Sequence, residues 1–139
     1  MREREEQLCE TFERLLRARH ECSCRIFSEC GLSDMTVTQI AYLKTIDEQG
    51  KVTFSRLAEI TRNSKPTITE MINKFERMEC VYREPSPDDR RVLYIRLTEK
   101  GQRIAQAEHY ALRMVIGQMM DSLDEREKEL LVRLMEKTR

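Results

Sequence analysis

Pro66, Thr69, Glu70, Asn73 and Arg77 fall on one side of any helix drawn through them at about 100° per residue. Lys65, Thr67 and Lys74 flank that side. An asparagine amide can pair bidentately with adenine, and a glutamate carboxylate can accept from the amino group of cytosine. Asn73 and Glu70 are therefore equipped to read base edges. Ser64, Lys65, Thr67 and Lys74 suit phosphates, helped by the positive end of a helix beginning at Ser64. Ile68, Met71, Ile72, Phe75 and Met78 fall on the opposite side and are the residues to pack on a core. An ordinary amphipathic surface helix shows the same split and binds nothing, so the neighbouring segments have to decide between the two.

Beyond this helix, Val81 to Glu84 and Val92 to Leu97 read as strands. The segment Pro85-Ser86-Pro87-Asp88-Asp89-Arg90 between them is rich in turn formers, which predicts an antiparallel hairpin. Arg90 and Arg91 stand together at its tip. Consecutive residues of an extended segment point to opposite sides. One arginine is then free to enter a narrow minor groove, and the other to pair with Asp88 or Asp89 and brace the loop.

The elements that must hold these groups are mostly helical. Arg4 to about Cys30 carries Leu8, Phe12, Leu15, Leu16, Ile26, Phe27 and Cys30 at helical spacing, with Gly31 placed to end the run. Thr36 and Gln39 form a capping box for a helix bearing Val37, Ile40, Leu43 and Ile46. Lys51-Val52-Thr53 is a brief extended stretch, and Thr53 or Ser55 caps a short helix through Leu57, Ala58 and Ile60. Ser64 caps the helix 64–79, with Pro66 in its first turn. Thr98 opens a long helix with Ile104, Ala111, Leu112, Val115, Met119 and Leu123 inward. Asp124 and Glu127 box the start of a last one bearing Leu130, Leu131, Leu134 and Met135.

The chain has 139 residues, the length of about one domain, and 36% of them are charged. No apolar run approaches the roughly 20 residues needed to cross a bilayer, and Met1 to Glu6 lacks the apolar core of a signal peptide, so a cytoplasmic protein is expected. Net charge is zero, but residues 51–100 hold eleven Lys and Arg against eight Asp and Glu, whereas residues 1–50 hold seven against ten. Binding to a polyanion would then rest on a few well-placed cations. The five cysteines, Cys9, Cys22, Cys24, Cys30 and Cys80, are odd in number, which suggests reduced thiols. His20 and Cys24, four apart, share one edge of the first helix; that pair could make a redox-sensitive thiol. Helical geometry keeps Cys22 and Cys24 from one metal and no C-x-x-C pair is present, so no metal or other cofactor is expected.

The stretch from Leu57 to Gly101 resembles the MarR family of winged helix-turn-helix transcriptional regulators. The likeness is carried by Leu57-Ala58-Glu59, by Ser64-Lys65-Pro66-Thr67-Ile68-Thr69, by the wing Asp88-Asp89-Arg90-Arg91, and by Leu97-Thr98-Glu99-Lys100-Gly101. The family's D-x-R wing motif fits in two registers here, and counting back from Leu97 favours Asp89 with Arg91. The helix order is similar too, so the likeness covers nearly the whole chain. It implies a mainly α fold with a small β-hairpin wing: a dimerisation helix over residues 1–34, a winged helix-turn-helix DNA-binding domain over 35–100, and dimerisation helices over 101–139. It also implies a homodimer that reads a palindrome in double-stranded DNA, most often as a repressor, and that answers to small phenolic or lipophilic effectors or to oxidants. The residues do not identify such an effector. The terminal helices support dimerisation independently, because they carry more apolar surface than a lone small domain can bury.

The chain departs from the family pattern twice. Where many members have glycine in the turn of the motif, this chain has Arg62 followed by Asn63, and Asn63 is the easier residue to hold a positive φ. Arg62 would add a phosphate contact. Where members often have glycine after the recognition helix, this chain has Cys80, so that helix should end without a left-handed glycine cap. Two other functions compete with this one. Enzymatic activity finds no support in G-x-S-x-G, phosphate-loop, H-E-x-x-H or dinucleotide motifs. A winged-helix protein-interaction module without DNA binding is compatible with the neutral net charge.

Overall fold

The computed structural model describes residues 2–139. Six helices and three short strands follow in the order α1 (Arg2–Glu29), α2 (Val37–Gln49), β1 (Val52–Thr53), α3 (Phe54–Thr61), α4 (Lys65–Arg77), β2 (Val81–Pro85), β3 (Leu93–Leu97), α5 (Glu99–Asp121) and α6 (Glu125–Glu136). The chain divides into two compact units. One is Arg25–Ala107; the other joins Met1–Cys24 to Glu108–Arg139. Helices α1 and α5 each run from one unit into the other.

Local chemistry sets the helix starts. Thr36 accepts from the Gln39 backbone N–H while the Gln39 side chain accepts from the Thr36 N–H. Asp124 and Glu127 exchange the same pair of bonds. Thr53 and Ser64 each accept from a backbone N–H three residues on. Each cap satisfies donors that the helix itself cannot, a contribution of about 1 kcal/mol.

The core of the Arg25–Ala107 unit gathers the apolar sides of all its elements. Leu43, Ile46, Ile68, Ile72, Phe75, Ile95 and Ile104 are fully buried, and Leu57 nearly so. Met71, Met78, Phe27 and Phe54 pack around them, half-buried. The inward set expected for the helix at 64–79 is thus the set that packs. Pleat period does the same for the wing: in β2 and β3, Val81, Ile95 and Leu97 are buried. The hairpin is antiparallel, with Val81 opposite Leu97 and Arg83 opposite Ile95. The extended stretch before α3 adds a third strand, because β1 pairs with the free edge of β3, Val52 opposite Ile95. That pairing joins residues 43 apart in sequence and was not predicted.

One helix end corrects the sequence reading and a second adds to it. The turn between α3 and α4 takes its positive φ at Arg62 (φ 56), not at Asn63. The Arg62 N–H bonds the Glu59 carbonyl at 3.3 Å and the Asn63 N–H bonds the Ala58 carbonyl at 3.0 Å. Those two bonds define a left-handed closure whose strained residue must be the first past the helix, and that residue is Arg62. Asn63 instead serves through its side chain, donating to the Tyr42 hydroxyl on α2 and to the Thr61 carbonyl. Helix α4 ends the same way: no glycine is present, as expected, but the end is still left-handed, with Glu79 at φ 61. The Cys80 N–H reaches back to the Phe75 carbonyl at 2.9 Å.

The unit of Met1–Cys24 and Glu108–Arg139 buries little. Ser23, Ala111 and Val115 are buried in it. Leu112, expected to face inward, is 41% exposed. Eleven of the thirteen large hydrophobic residues left exposed in the described chain lie in this unit, among them Leu8, Phe12, Leu16, Ile116, Leu130, Leu134 and Met135.

Candidate nucleic-acid interface

Helix α4 turns Lys65, Pro66, Thr67, Thr69, Glu70, Asn73, Lys74 and Arg77 to solvent. Its N-cap, Ser64, is exposed as well. The Ser64 hydroxyl accepts from the Thr67 N–H at 3.3 Å and meets the Thr67 hydroxyl at 2.8 Å. The start of α4 is therefore fixed from within: Pro66 has no N–H, and those of Thr67 and Ile68 bond Ser64, which leaves the Lys65 N–H at the positive end of the helix. Among the described residues, Lys65, Thr69, Glu70 and Arg77 make no side-chain hydrogen bond or ion pair, so their polar groups are available. Lys74 borders a groove of about 250 Å³ lined also by Met35, Gln39 and Met78.

Asn73 is exposed but not free. Arg83 Nη2 donates to Asn73 Oδ1 at 2.6 Å, and Arg83 Nε donates to Glu76 Oε1 at 2.7 Å. The same guanidinium lies 5.0 Å from the centre of the Phe54 ring. Arg83 follows Val81 by two residues in β2, so it shares that residue's inward side and reaches α4 and α3. The sequence reading missed it. The available signal was a cation at an inward register of a strand, where a charge has to find partners.

The wing tip is organised by Ser86, which the sequence reading treated only as a turn former. Ser86 is buried, and its hydroxyl accepts from the Asp88 N–H at 3.3 Å and the Asp89 N–H at 3.4 Å. Its own N–H closes the loop on the Val92 carbonyl at 2.9 Å. Asp89 then accepts from both the backbone N–H of Arg91, at 3.0 Å, and its guanidinium, at 3.2 Å. Those bonds hold the Asp89 carboxyl below the usual carboxylate range. Of the two arginines, Arg91 carries the aspartate and Arg90 is exposed with no side-chain partner among the described residues. The D-x-R register that is bonded is Asp89 with Arg91. Asp88 uses only its backbone here.

At the other end of the chain, Cys24 Sγ lies 3.5 Å from His20 Nε2, both exposed on α1. Cys80 is buried, and burial pushes its thiol above the usual range. All five cysteines are free thiols, and no cluster of metal-ligating side chains forms among the described residues. No helix among them is long and apolar enough to cross a membrane.

Residues 35–93 match the sequence pattern of the MarR family. The transcriptional regulator HosA of Escherichia coli O111:H- is 29% identical over 76% of this chain and 78% of its own length. Among solved structures, S. aureus MepR bound to ethidium bromide superposes with a TM-score of 0.70 at 20% identity, covering 94% of this chain and 92% of that one. A MepR mutant bound to an oligodeoxyribonucleotide gives 0.63 at 19% identity over 94% of each chain. The family is one of DNA-binding regulators, not enzymes. Helix-turn-helix, braced wing and these likenesses agree: residues 35–93 carry the MarR family pattern, and the chain is similar over most of its length to transcriptional regulators.

Proposed function

We propose that this regulator binds double-stranded DNA as a homodimer on palindromic operators and represses transcription from them. In this reading the exposed side of α4 enters the major groove, with Thr69, Glu70, Asn73 and Arg77 toward base edges. Ser64, Lys65, Pro66, Thr67, Lys74 and Arg62 lie toward the backbone. Arg90 enters the flanking minor groove while Asp89 and Arg91 hold the loop that aims it. The observation that carries the proposal is the exposed polar side of α4 in one unit with a cation, Arg90, that has no side-chain partner among the described residues. The apolar surface left open on α1, α5 and α6 supports the homodimer. A small-molecule or oxidant signal releases the DNA; its identity is open. The capture of MepR with ethidium supports the first kind of signal, and the His20–Cys24 contact supports the second.

The neutral net charge favours a competing reading, a protein-interaction module that has lost DNA binding. Affinity for mixed-sequence duplex measured against salt separates the two. A regulator loses affinity linearly in log–log terms, with a slope of about −0.9 per phosphate neutralised. A module shows no binding even at low salt, and that result would end the proposal.

A further inference from the structure

Arg83 fixes the orientation of the Asn73 side-chain amide. A guanidinium has five donors and no acceptor, so the amide atom it touches has to be the oxygen. The 2.6 Å contact from Arg83 Nη2 to Asn73 Oδ1 therefore fixes which way the amide is turned. Arg83 is itself fixed by two further partners, Glu76 at 2.7 Å and the Phe54 ring at 5.0 Å. The Asn73 carboxamide is thus held through a short charge-assisted bond by a guanidinium that is itself tied to Glu76.

The usual pairing of asparagine with adenine uses both ends of the amide. Its oxygen accepts from the adenine N6 amino group while its nitrogen donates to N7. Here Arg83 occupies one of the two lone pairs of the oxygen and its positive charge disfavours a second donor there, whereas Nδ2 makes no hydrogen bond among the described residues. An amino group offered alone matches a base edge made of acceptors. In the major groove guanine presents two acceptors, N7 and O6, side by side, whereas adenine offers N7 next to an amino donor that would face the second N–H of Asn73.

We infer that Arg83 is a positioning residue for sequence recognition: it converts Asn73 from an adenine reader into a donor that selects guanine. The inference rests on the proposed docking of α4 in the major groove. It also replaces the adenine contact expected from the sequence alone.

Selection of bound duplexes from a random pool tests it with three proteins: the wild type, Asn73→Ala and Arg83→Met. Methionine keeps an apolar stem against Phe54 but has no donor for Asn73. The position whose preference relaxes in Asn73→Ala identifies the base that Asn73 reads. At that position the wild type should favour guanine over adenine by roughly tenfold. Arg83→Met should shift the preference toward adenine there and leave the other positions unchanged, which a general loss of folding would not do. Adenine in the wild-type motif at that position would overturn the inference without help from the Arg83 variant. So would a motif that Asn73→Ala leaves intact, or guanine retained by a folded Arg83→Met. A wild-type pool with no enriched motif would remove the DNA-reading proposal itself, and the inference with it.

Discussion

At the scale of single residues, Arg62 and Glu79 bracket the recognition helix in left-handed conformations, φ 56 and φ 61, that suit glycine. Each is held by two backbone bonds to the helix it ends. The strain is local and the Glu79 side chain makes no hydrogen bond or ion pair among the described residues, so Glu79→Gly should raise stability by about 1 kcal/mol. Chemical denaturation measures this directly; an unchanged or lower midpoint would mean that Glu79 is not strained. Arg62→Gly should stabilise similarly but also weaken DNA binding, because Arg62 stands exposed in the turn ahead of α4.

At the scale of elements, α5 begins against the end of α4. Thr98 donates to the Glu79 carbonyl at 2.6 Å and its N–H bonds the Cys80 carbonyl at 2.9 Å. A Cβ at Gly101 would overlap that Cys80 carbonyl oxygen and lie 3.0 Å from its carbon. Both sides of the clash are fixed by hydrogen bonds, so Gly101→Ala should cost roughly 3 kcal/mol and shift the wing relative to α4. A thermal midpoint within a degree of wild type would contradict this close approach.

The same elements mark how far the sequence could be read. Caps and helix faces were legible because their causes lie within four residues: Thr36 with Gln39, Thr53, Ser64, and Asp124 with Glu127. The exposed side of α4 followed from the same periodicity. Arg83 on Asn73 and Glu76, Asn63 on Tyr42, and β1 on β3 were not legible, because each needs two segments brought together by the fold. The turn at Arg62 was misread for a different reason. Residue preference favoured Asn63, but the position of a left-handed closure is set by where the helix ends, and Asn63 comes one residue too late.

At the scale of the whole molecule, exposed apolar residues concentrate in the unit of Met1–Cys24 and Glu108–Arg139. If a second copy covers them, Leu130→Glu combined with Leu134→Glu should give monomers in sedimentation, with DNA affinity reduced by orders of magnitude because each half-site is then bound alone. A variant that stays dimeric would place the interface elsewhere.

The central claim is that α4 lies in the major groove while Arg90 lies in the minor groove beside it. Dimethyl sulfate footprinting on a selected duplex reads both grooves at once, through guanine N7 on the major side and adenine N3 on the minor side. The account predicts guanine protection in two major-groove segments about 34 Å apart, flanked by protected minor-groove adenines. In Arg90→Ala only the adenine protection should disappear. Adenine protection that persists in that variant, or guanines that remain reactive throughout the bound site, would contradict it.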